Sequence, residues 1–126
     1  MTKLWLDDKR DPREHLPKQF PDRTWDEQTF AEWVWVKTVP EAKEVFEAGG
    51  VDEASFDHDL GDRDVVGNGH LMLDWLEEKT ALDQGFEPPA RMWVHSSNAA
   101  EWDRMELVIR RIHTLKELRE REEGDR

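Results

Sequence analysis

Short apolar segments alternate with helix-like segments along this chain, and this alternation is the feature that most restricts its fold. The segments "KLWLDD", "WVWVKTV", "VDEASFDHD" and "RMWVHSS" begin at residues 3, 33, 51 and 91 and have the composition of buried strands. Strands that alternate with helices pair in parallel through crossover connections. We therefore predict an α/β fold, a small doubly wound parallel sheet of about four strands between helices.

Start and stop signals mark the helices between and after these strands. Thr38 and Glu41 stand in capping-box spacing, and Gly49-Gly50 ends the segment that they open. A second helix is predicted after the loop "LGDRDVVGNG" (60–69), and a third begins at Asn98. Their apolar positions recur at helical spacing, for the second at Leu71, Met72, Trp75 and Leu76 and for the third at Trp102, Met105, Ile109, Ile112 and Leu115.

Two segments have no clear periodic pattern. Residues 9–32 are rich in proline and charge, and we interpret them as an irregular excursion with one short helix near "WDEQTFAEW". The tail "KELREREEGDR" is dense in charge, so we expect residues 116–126 to be a helix end that frays. Residues 1–115 then form a single domain.

Composition excludes several classes of function. Thirty acidic residues against 18 basic ones give a net charge of -12, which disfavours broad nucleic-acid binding, although a divalent metal would still admit a small phosphorylated ligand. The chain has no Cys, so thiolate metal sites and disulfides are excluded. Neither a signal peptide nor an apolar run of about 18 residues is present. We interpret the protein as cytoplasmic, with no membrane partner and an oligomeric state that the sequence does not indicate.

Ionisable side chains follow three of the four predicted strands. Asp7-Asp8 follows the first, Asp57-His58-Asp59 the third and His95-Ser96-Ser97 the fourth. Ligands of open parallel sheets bind beyond the carboxyl ends of the strands. We therefore expect these groups to converge on one edge of the sheet.

The residue types at this edge indicate phosphate chemistry. Clustered carboxylates repel one another unless a cation lies between them, and Mg²⁺ is the usual ion for carboxylate and phosphate oxygens. Imidazole as a side-chain type titrates near working pH, so His58 and His95 suit general acid and base roles. Ser96 or Ser97 would donate a hydrogen bond to a phosphoryl oxygen.

The motifs "LWLDD", "SFDHDLG" and "VHSSN" resemble the receiver fold of response regulators, which is flavodoxin-like. More closely, over roughly residues 3–112, they resemble the divergent branch termed the cyclic-phosphate processing receiver domain. The resemblance implies that Asp7 and Asp8 are the acidic pair that binds Mg²⁺. It implies that Asp57 stands at the phosphoryl-acceptor position and Ser96 at the position of the hydroxyl residue.

The chain departs from ordinary receivers at one decisive position. Receivers carry a fifth strand that ends in a phosphate-binding Lys, and the sequence shows neither this strand nor the Lys. It carries instead His58, Asp59 and His95, which ordinary receivers lack. The divergent family is proposed to process cyclic phosphates of nucleotides or RNA ends, and the resemblance implies such a role here.

Two functions from different classes are consistent with these features. The first is a metal-assisted phosphoesterase that acts on a cyclic phosphate, such as a 2′,3′-cyclic nucleotide or RNA end. Asp7, Asp8, Asp57 and Asp59 would hold Mg²⁺ or Mn²⁺, His58, His95 and Asp57 would be catalytic, and Ser96 would bind the phosphate. The alternative is a non-catalytic receiver-like module that binds Mg²⁺ or phosphate in signalling. A purely acidic interaction surface would leave the localised His-Asp cluster unexplained.

Several of these residues also have purely structural interpretations. The Asp-rich segments could simply terminate strands as polar turns, and Ser96 and Asn98 could be helix caps. His70 is expected to be structural. The tryptophans are expected to be core residues, with only Trp25, Trp33 and Trp35 free to line a nucleobase pocket.

Overall fold

The computed structural model describes residues 2–59, 68–96 and 98–124. In these residues the elements follow one another as β1 (Thr2–Leu6), α1 (Pro12–Gln19), α2 (Glu27–Ala31), β2 (Trp33–Val36), α3 (Val39–Ala48), β3 (Val51–Phe56), α4 (Gly69–Leu82), β4 (Arg91–Val94) and α5 (Ala99–Gly124). No helix among the described residues has both the length and the hydropathy to cross a membrane.

The four strands form one parallel sheet in the order β2-β1-β3-β4, which confirms the predicted receiver-like α/β fold. Leu6 lies opposite both Val36 and Phe56, and Phe56 lies opposite Val94. The strands therefore end at the same level, and the residues that follow them share one edge. The part of the chain that the structure describes contains no fifth strand.

The sheet buries side chains on both of its faces. Leu4 and Leu6 of β1 belong to the larger core cluster, to which α3, α4 and α5 contribute, whereas Trp5 packs on the other face with Leu16 and Trp33. Successive side chains of a strand point to opposite faces, so a strand buried on both sides has no polar stripe. The two clusters account for the continuous apolar run at residues 4–6.

One fully buried acid, Glu53 of β3, lies within a cluster of donors. Its carboxylate accepts hydrogen bonds from the Arg23 guanidinium (2.9 and 2.7 Å), Trp93 Nε1 (2.7 Å) and Lys3 Nζ (3.1 Å). Burial raises the pKa of this carboxyl, but the bonds from Arg23, Trp93 and Lys3 outweigh it and lower the pKa to about 2. Glu53 is thus a buried anion held by complementary partners.

The prediction of irregular structure was wrong for residues 12–19, which form α1. Asp11 caps this helix by accepting from the Arg13 amide, and Pro12 occupies the first turn, where no amide donor is needed. Pro17 lies inside the helix, and such a residue normally argues against one. The short helix predicted near residues 25–33 is confirmed as α2.

The last helix includes the charged end of the chain. Residues 116–124 continue α5 as regular helix, and the expected fraying of residues 116–126 stays a prediction. Arg119 anchors this part, since its Nη1 donates to the carbonyl oxygens of Phe86 (2.9 Å) and Thr80 (3.3 Å). These bonds fasten the charged end of α5 to α4 and to the segment that follows it.

Candidate functional site

The backbone of the sheet fixes the first residue after three of its strands. The amide of Asp7 donates to Val36 O (3.1 Å), that of Asp57 to Leu6 O (2.9 Å) and that of His95 to Phe56 O (3.0 Å). Parallel pairing therefore continues one residue beyond β1, β3 and β4. The predicted site residues at these strand ends share the same edge of the sheet.

Three carboxylates meet at this edge. One oxygen each of Asp7, Asp8 and Asp57 lies within 4.8 Å of the others, and Asp7 and Asp57 are buried. Asp59 is outside this group, because its side chain is 60% exposed and its Oδ1 lies 2.7 Å from His58 Nδ1. The structure therefore brings together three of the four acids expected to hold a metal.

Asp7 is held by hydrogen bonds that favour its charged form. Its Oδ1 accepts from the amides of Lys9 and Arg10 (both 2.9 Å), and its Oδ2 lies 3.0 Å from His95 Nε2. Burial alone would raise the pKa of Asp7, but the bonds from His95, Arg10 and Lys9 outweigh burial and lower this pKa. Asp7 is therefore an anion at neutral pH.

Asp57 is in the opposite situation. Burial and then the negative charge of Asp7 raise its pKa to about 6, although the positive charge of Arg10 opposes the shift. The surroundings of Asp57 therefore disfavour its ionised form. A cation bound beside it would stabilise that form.

Arg10, which we did not predict as a site residue, lies between the two buried carboxylates. Its Nη1 is 3.6 Å from Asp7 Oδ2 and 3.5 Å from Asp57 Oδ1, and it donates to the carbonyl of His95 at 3.1 Å. The sequence signal was its position in "LDDKRDP", two residues after the paired acids. Such a segment is ordinarily interpreted as a charged turn, and this interpretation does not predict the contact of Arg10 with Asp7 and Asp57.

His95 has protein partners at both ring nitrogens. Its Nε2 faces Asp7, and its Nδ1 lies 2.7 Å from Ser55 Oγ, which in turn accepts from Gln19 Nε2 at 3.2 Å. A carboxylate only accepts, so Nε2 carries the proton and Ser55 donates to Nδ1. Burial lowers the pKa of His95 despite the opposing effect of Asp7, and the ring stacks on Trp5 with centroids 3.8 Å apart. His95 is thus neutral and fixed in orientation.

Ser55 was missed by sequence reasoning, although a signal existed. Glu53 and Ser55 are polar residues at alternate positions of an otherwise buried strand, so both point to the same face. A buried polar side chain needs a partner, and Ser55 finds it in His95.

His58 is buried between two carboxylates. Its Nδ1 lies 2.7 Å from Asp59 Oδ1 and its Nε2 3.4 Å from Glu101 Oε2, at the start of α5. An imidazole with an adjacent orienting carboxylate has the arrangement of a general acid or base. Glu101, in the first turn of α5, was not among the predicted site residues.

Gly69 allows α4 to begin directly against the end of β3. A Cβ at this position would lie 2.0 Å from the carbonyl oxygen of Asp57 and 2.7 Å from Met105 Cε, and the Gly69 amide donates to His58 O at 3.0 Å. Only a residue without a Cβ fits this contact. The first residue of α4 therefore holds the backbone that carries Asp57 and His58.

Residues near the start of α4 have structural contacts. Asn68 caps the helix by accepting from the Leu71 amide at 2.9 Å, and His70 Nε2 lies 3.6 Å from Asp74 Oδ2 on the same helix. The structural role expected for His70 stays a prediction. Most of the loop predicted over residues 60–69 lies outside the described residues.

Ser96 is buried and takes part in the turn that starts α5. Its Oγ accepts from the Asn98 amide (3.1 Å), and Asn98 Oδ1 accepts from the Glu101 amide (3.3 Å). Asn98 therefore caps α5, and Ser96 supports this cap residue through its amide. Ser97 lies outside the described residues.

The tryptophans are distributed differently from the sequence-based expectation. Trp93 and Trp102, assigned to the core, are 37% and 39% exposed, whereas Trp33, assigned to a pocket wall, is 8% exposed. Trp25 and Trp33 line a cleft near the amino ends of the strands, away from the acids. Trp102 instead lines a cleft of about 260 Å³ that also includes Arg10 and His95.

The family model described as "Cyclic-phosphate processing Receiver domain" matches residues 2–111 of this chain. The match includes every strand of the sheet and all the acids and histidines of the site. No curated protein and no solved structure matches the chain in the corresponding comparisons.

Proposed function

Because the chain belongs to the family of cyclic-phosphate processing receiver domains, we propose that it is a metal-assisted phosphoesterase that opens a cyclic phosphate. The observation that carries this proposal is the cluster of Asp7, Asp8 and Asp57, in which burial and Asp7 raise the pKa of Asp57 to about 6. Such a cluster gains most from a cation shared with an anionic substrate. The substrate class is a nucleotide or an RNA end that carries a 2′,3′-cyclic phosphate.

The donor set fits a hard divalent cation. Asp7, Asp8 and Asp57 offer only carboxylate oxygens, the ligands that Mg²⁺ prefers, and Mn²⁺ accepts the same set. The ion, when bound, would polarise the phosphoryl oxygens and neutralise charge that develops on them. Arg10, 3.5 Å from Asp57, provides a second positive charge on the same side, and this chain has no phosphate-binding Lys at a fifth strand within its described residues.

The two histidines have different roles in the proposed reaction. His58, oriented by Asp59 and beside Glu101, transfers protons. Both ring nitrogens of His95 are already engaged, which supports a positioning role in which it holds Asp7, and not the direct proton transfer expected from the sequence. Water adds its oxygen to phosphorus and gives up a proton to His58, one ring P–O bond breaks, and the released sugar oxygen takes up a proton. The product is a phosphate monoester with a free neighbouring hydroxyl.

The decisive experiment is product identification after incubation with 2′,3′-cyclic nucleotides and with an oligonucleotide that ends in a 2′,3′-cyclic phosphate. Each reaction is run with Mg²⁺, with Mn²⁺ and with chelator, for the unmodified protein and for Asp57→Asn, His58→Ala and the charge control Glu44→Gln. We expect one monoester isomer, formed only with metal, lost in the first two variants and retained in the exposed control. Absence of turnover under every condition would overturn the enzymatic proposal.

A second candidate function is a non-catalytic module that binds Mg²⁺ and phosphate. The observation that favours it is the contact of Arg10 with both Asp7 and Asp57, because the protein then neutralises its own acids without a reaction. Metal binding without turnover would support this function. A shift of the Asp57 resonances on addition of beryllofluoride would indicate that Asp57 still accepts a phosphoryl group.

A further inference from the structure

A cleft with a basic lining opens beside the acidic cluster. It has a volume of about 260 Å³ and lies between α1, the segment after β1, the end of β4 and the first turn of α5. Arg10 follows β1, His15 and Lys18 come from α1, and Trp102 comes from α5. Four separate parts of the chain thus build one concave surface.

The charge of this lining is opposite to that of the protein as a whole. The chain carries 30 acidic residues and a net charge of -12, yet no Asp or Glu is among the described residues that line the cleft. Arg10 and Lys18 contribute a guanidinium and an ammonium group, and His15 adds a further donor. Both cations also contact acids outside the lining, Arg10 at Asp7 and Asp57 and Lys18 at Glu14 (3.7 Å). The surface that faces the cleft itself carries cationic groups and no carboxylate, which suits an anion.

Trp102 gives the cleft an aromatic wall. Its side chain is 39% exposed, so part of the indole surface is open to solvent at the cleft. Trp5, which also lines the cleft, is fully buried and stacked on His95, so its own face is already covered. Of the two tryptophans that line the cleft, Trp102 is therefore the one with exposed ring surface for a planar ligand group.

Two residues of the cleft lining also contact the acidic cluster. Arg10 lines the cleft and lies 3.5 Å from Asp57 Oδ1, and His95 lines it and lies 3.0 Å from Asp7 Oδ2. An anion beside Arg10 would therefore be adjacent to the carboxylates. The volume, just below the range of about 300 to 1,000 Å³ of typical ligand pockets, suits a single nucleotide unit.

We propose that this cleft is the nucleotide subsite, in which Arg10, His15 and Lys18 bind the phosphate group and Trp102 stacks on the base. The inference rests on the proposed function for the identity of the ligand as a nucleoside phosphate, either free or at an RNA end. Under this proposal α1 and α5 recognise the substrate, and the residues at the carboxyl edge of the sheet carry out the reaction.

Calorimetric titration of the full chain with adenosine 2′,3′-cyclic phosphate, in chelator so that no metal-dependent turnover intervenes, tests the subsite. We expect Trp102→Ala to weaken binding by roughly 5- to 150-fold, the range for loss of one stacked base, and Trp102→Phe to retain most of the affinity. Lys18→Ala should weaken binding several-fold and reduce its salt dependence. The controls Leu107→Ala, exposed on α5, and Arg121→Ala, exposed near its end, should bind like the unmodified protein.

Adenosine and inorganic phosphate serve as separate probes of the two halves of the ligand, and a short RNA with a cyclic-phosphate end distinguishes the two sources. Loss of adenosine affinity confined to Trp102→Ala, and loss of phosphate affinity confined to Lys18→Ala, would support the assignment. Unchanged nucleotide affinity in both variants, or no binding by the unmodified protein, would overturn it.

Turnover measured with metal separates this inference from the proposed function. Binding that depends on Trp102 and Lys18 without any turnover would retain the subsite and reject the enzyme. Turnover with the same KM in both variants would retain the enzyme and reject the subsite.

Discussion

His95 Nε2 lies 3.0 Å from Asp7 Oδ2, and this contact joins the ends of β1 and β4, two strands that are separated in the sheet by β3. Ser55 of β3 adds a second contact to His95, at Nδ1. Three strands are thus tied together by side chains at the edge where their backbone pairing ends. The orientation of the Asp7 carboxylate depends on this arrangement.

Replacement of Ser55 by Ala should destabilise the protein and misorient His95. The variant leaves Nδ1 of a buried ring without its donor, which costs about 1 to 3 kcal/mol of unfolding free energy. Urea unfolding measures the loss. Ser55→Thr, which keeps the hydroxyl, is the matched variant and should recover part of it. Equal stability of Ser55→Ala and the unmodified protein would show that the hydroxyl does not hold the ring.

Replacement of Asp57 by Asn should stabilise the metal-free protein at neutral pH. The pKa of Asp57 rises from 3.8 to about 6 on folding, so the folded state binds this proton more tightly than the unfolded state. Stability therefore falls as pH rises from about 4 to above 6, by an amount on the order of 3 kcal/mol. Asn removes this penalty.

The measurement is urea unfolding in chelator at pH 7.5 and at pH 4. The gain from Asp57→Asn should be present at the higher pH and small at the lower one, where Asp57 is protonated in the folded state. Glu44→Gln, an exposed control, should change stability by less than about 0.5 kcal/mol. A gain of the same size at both pH values would contradict the raised pKa.

Acid should destabilise the protein partly through Glu53. Its pKa falls from 4.5 to about 2 on folding, so its contribution is complete above pH 4.5 and is lost as pH falls from 4.5 to 2, by about 3 kcal/mol in total. Glu53→Gln should lower stability at pH 7 and flatten this acid limb. Unfolding free energy measured from pH 7 to pH 2 checks both effects. If the unfolding free energy of Glu53→Gln fell with decreasing pH as steeply as that of the unmodified protein, the acid sensitivity would come from other carboxyl groups.

Replacement of Gly69 by Ala should disrupt the contact between α4 and the end of β3. The new Cβ would lie 2.0 Å from the Asp57 carbonyl oxygen, so backbone must move, at a cost of about 2 kcal/mol or more. Gly85→Ala is the matched control, since its Cβ would lie 3.4 Å from the Asp83 Oδ1 side-chain atom. Thermal unfolding compares the two. If both variants had the same Tm, the close approach at Gly69 would not constrain the fold.

The strand ends were predictable because two physical rules act on short segments. Apolar composition located the strands, and parallel pairing brought Asp7, Asp57 and His95 to one edge without any knowledge of side-chain contacts. The same rules do not predict that Arg10 and Trp102 lie at this edge. Arg10 enters the site through the direction of its long side chain, and Trp102 is exposed because α5 presents it to a cleft that α1 completes.

The failure to predict helix α1 had a different cause. Asp11 and Pro12 form an ordinary helix start, but Pro17 is unfavourable in a helix interior, and local propensity therefore pointed to a loop. The packing of Leu16 against Trp5 and Trp33 outweighs this penalty. Tertiary burial of this kind is not visible in a single sequence.

Arg10 supplies the acidic edge with a cation of its own, since its guanidinium lies 3.6 Å from Asp7 and 3.5 Å from Asp57. Under the proposed function, a divalent metal therefore does not enter an empty anionic cavity but exchanges with a charge that is already there. Metal binding at this edge would then replace one cation, the Arg10 guanidinium, by another. Its selectivity depends on how readily the Arg10 side chain leaves Asp7 and Asp57 for the cleft that it also lines.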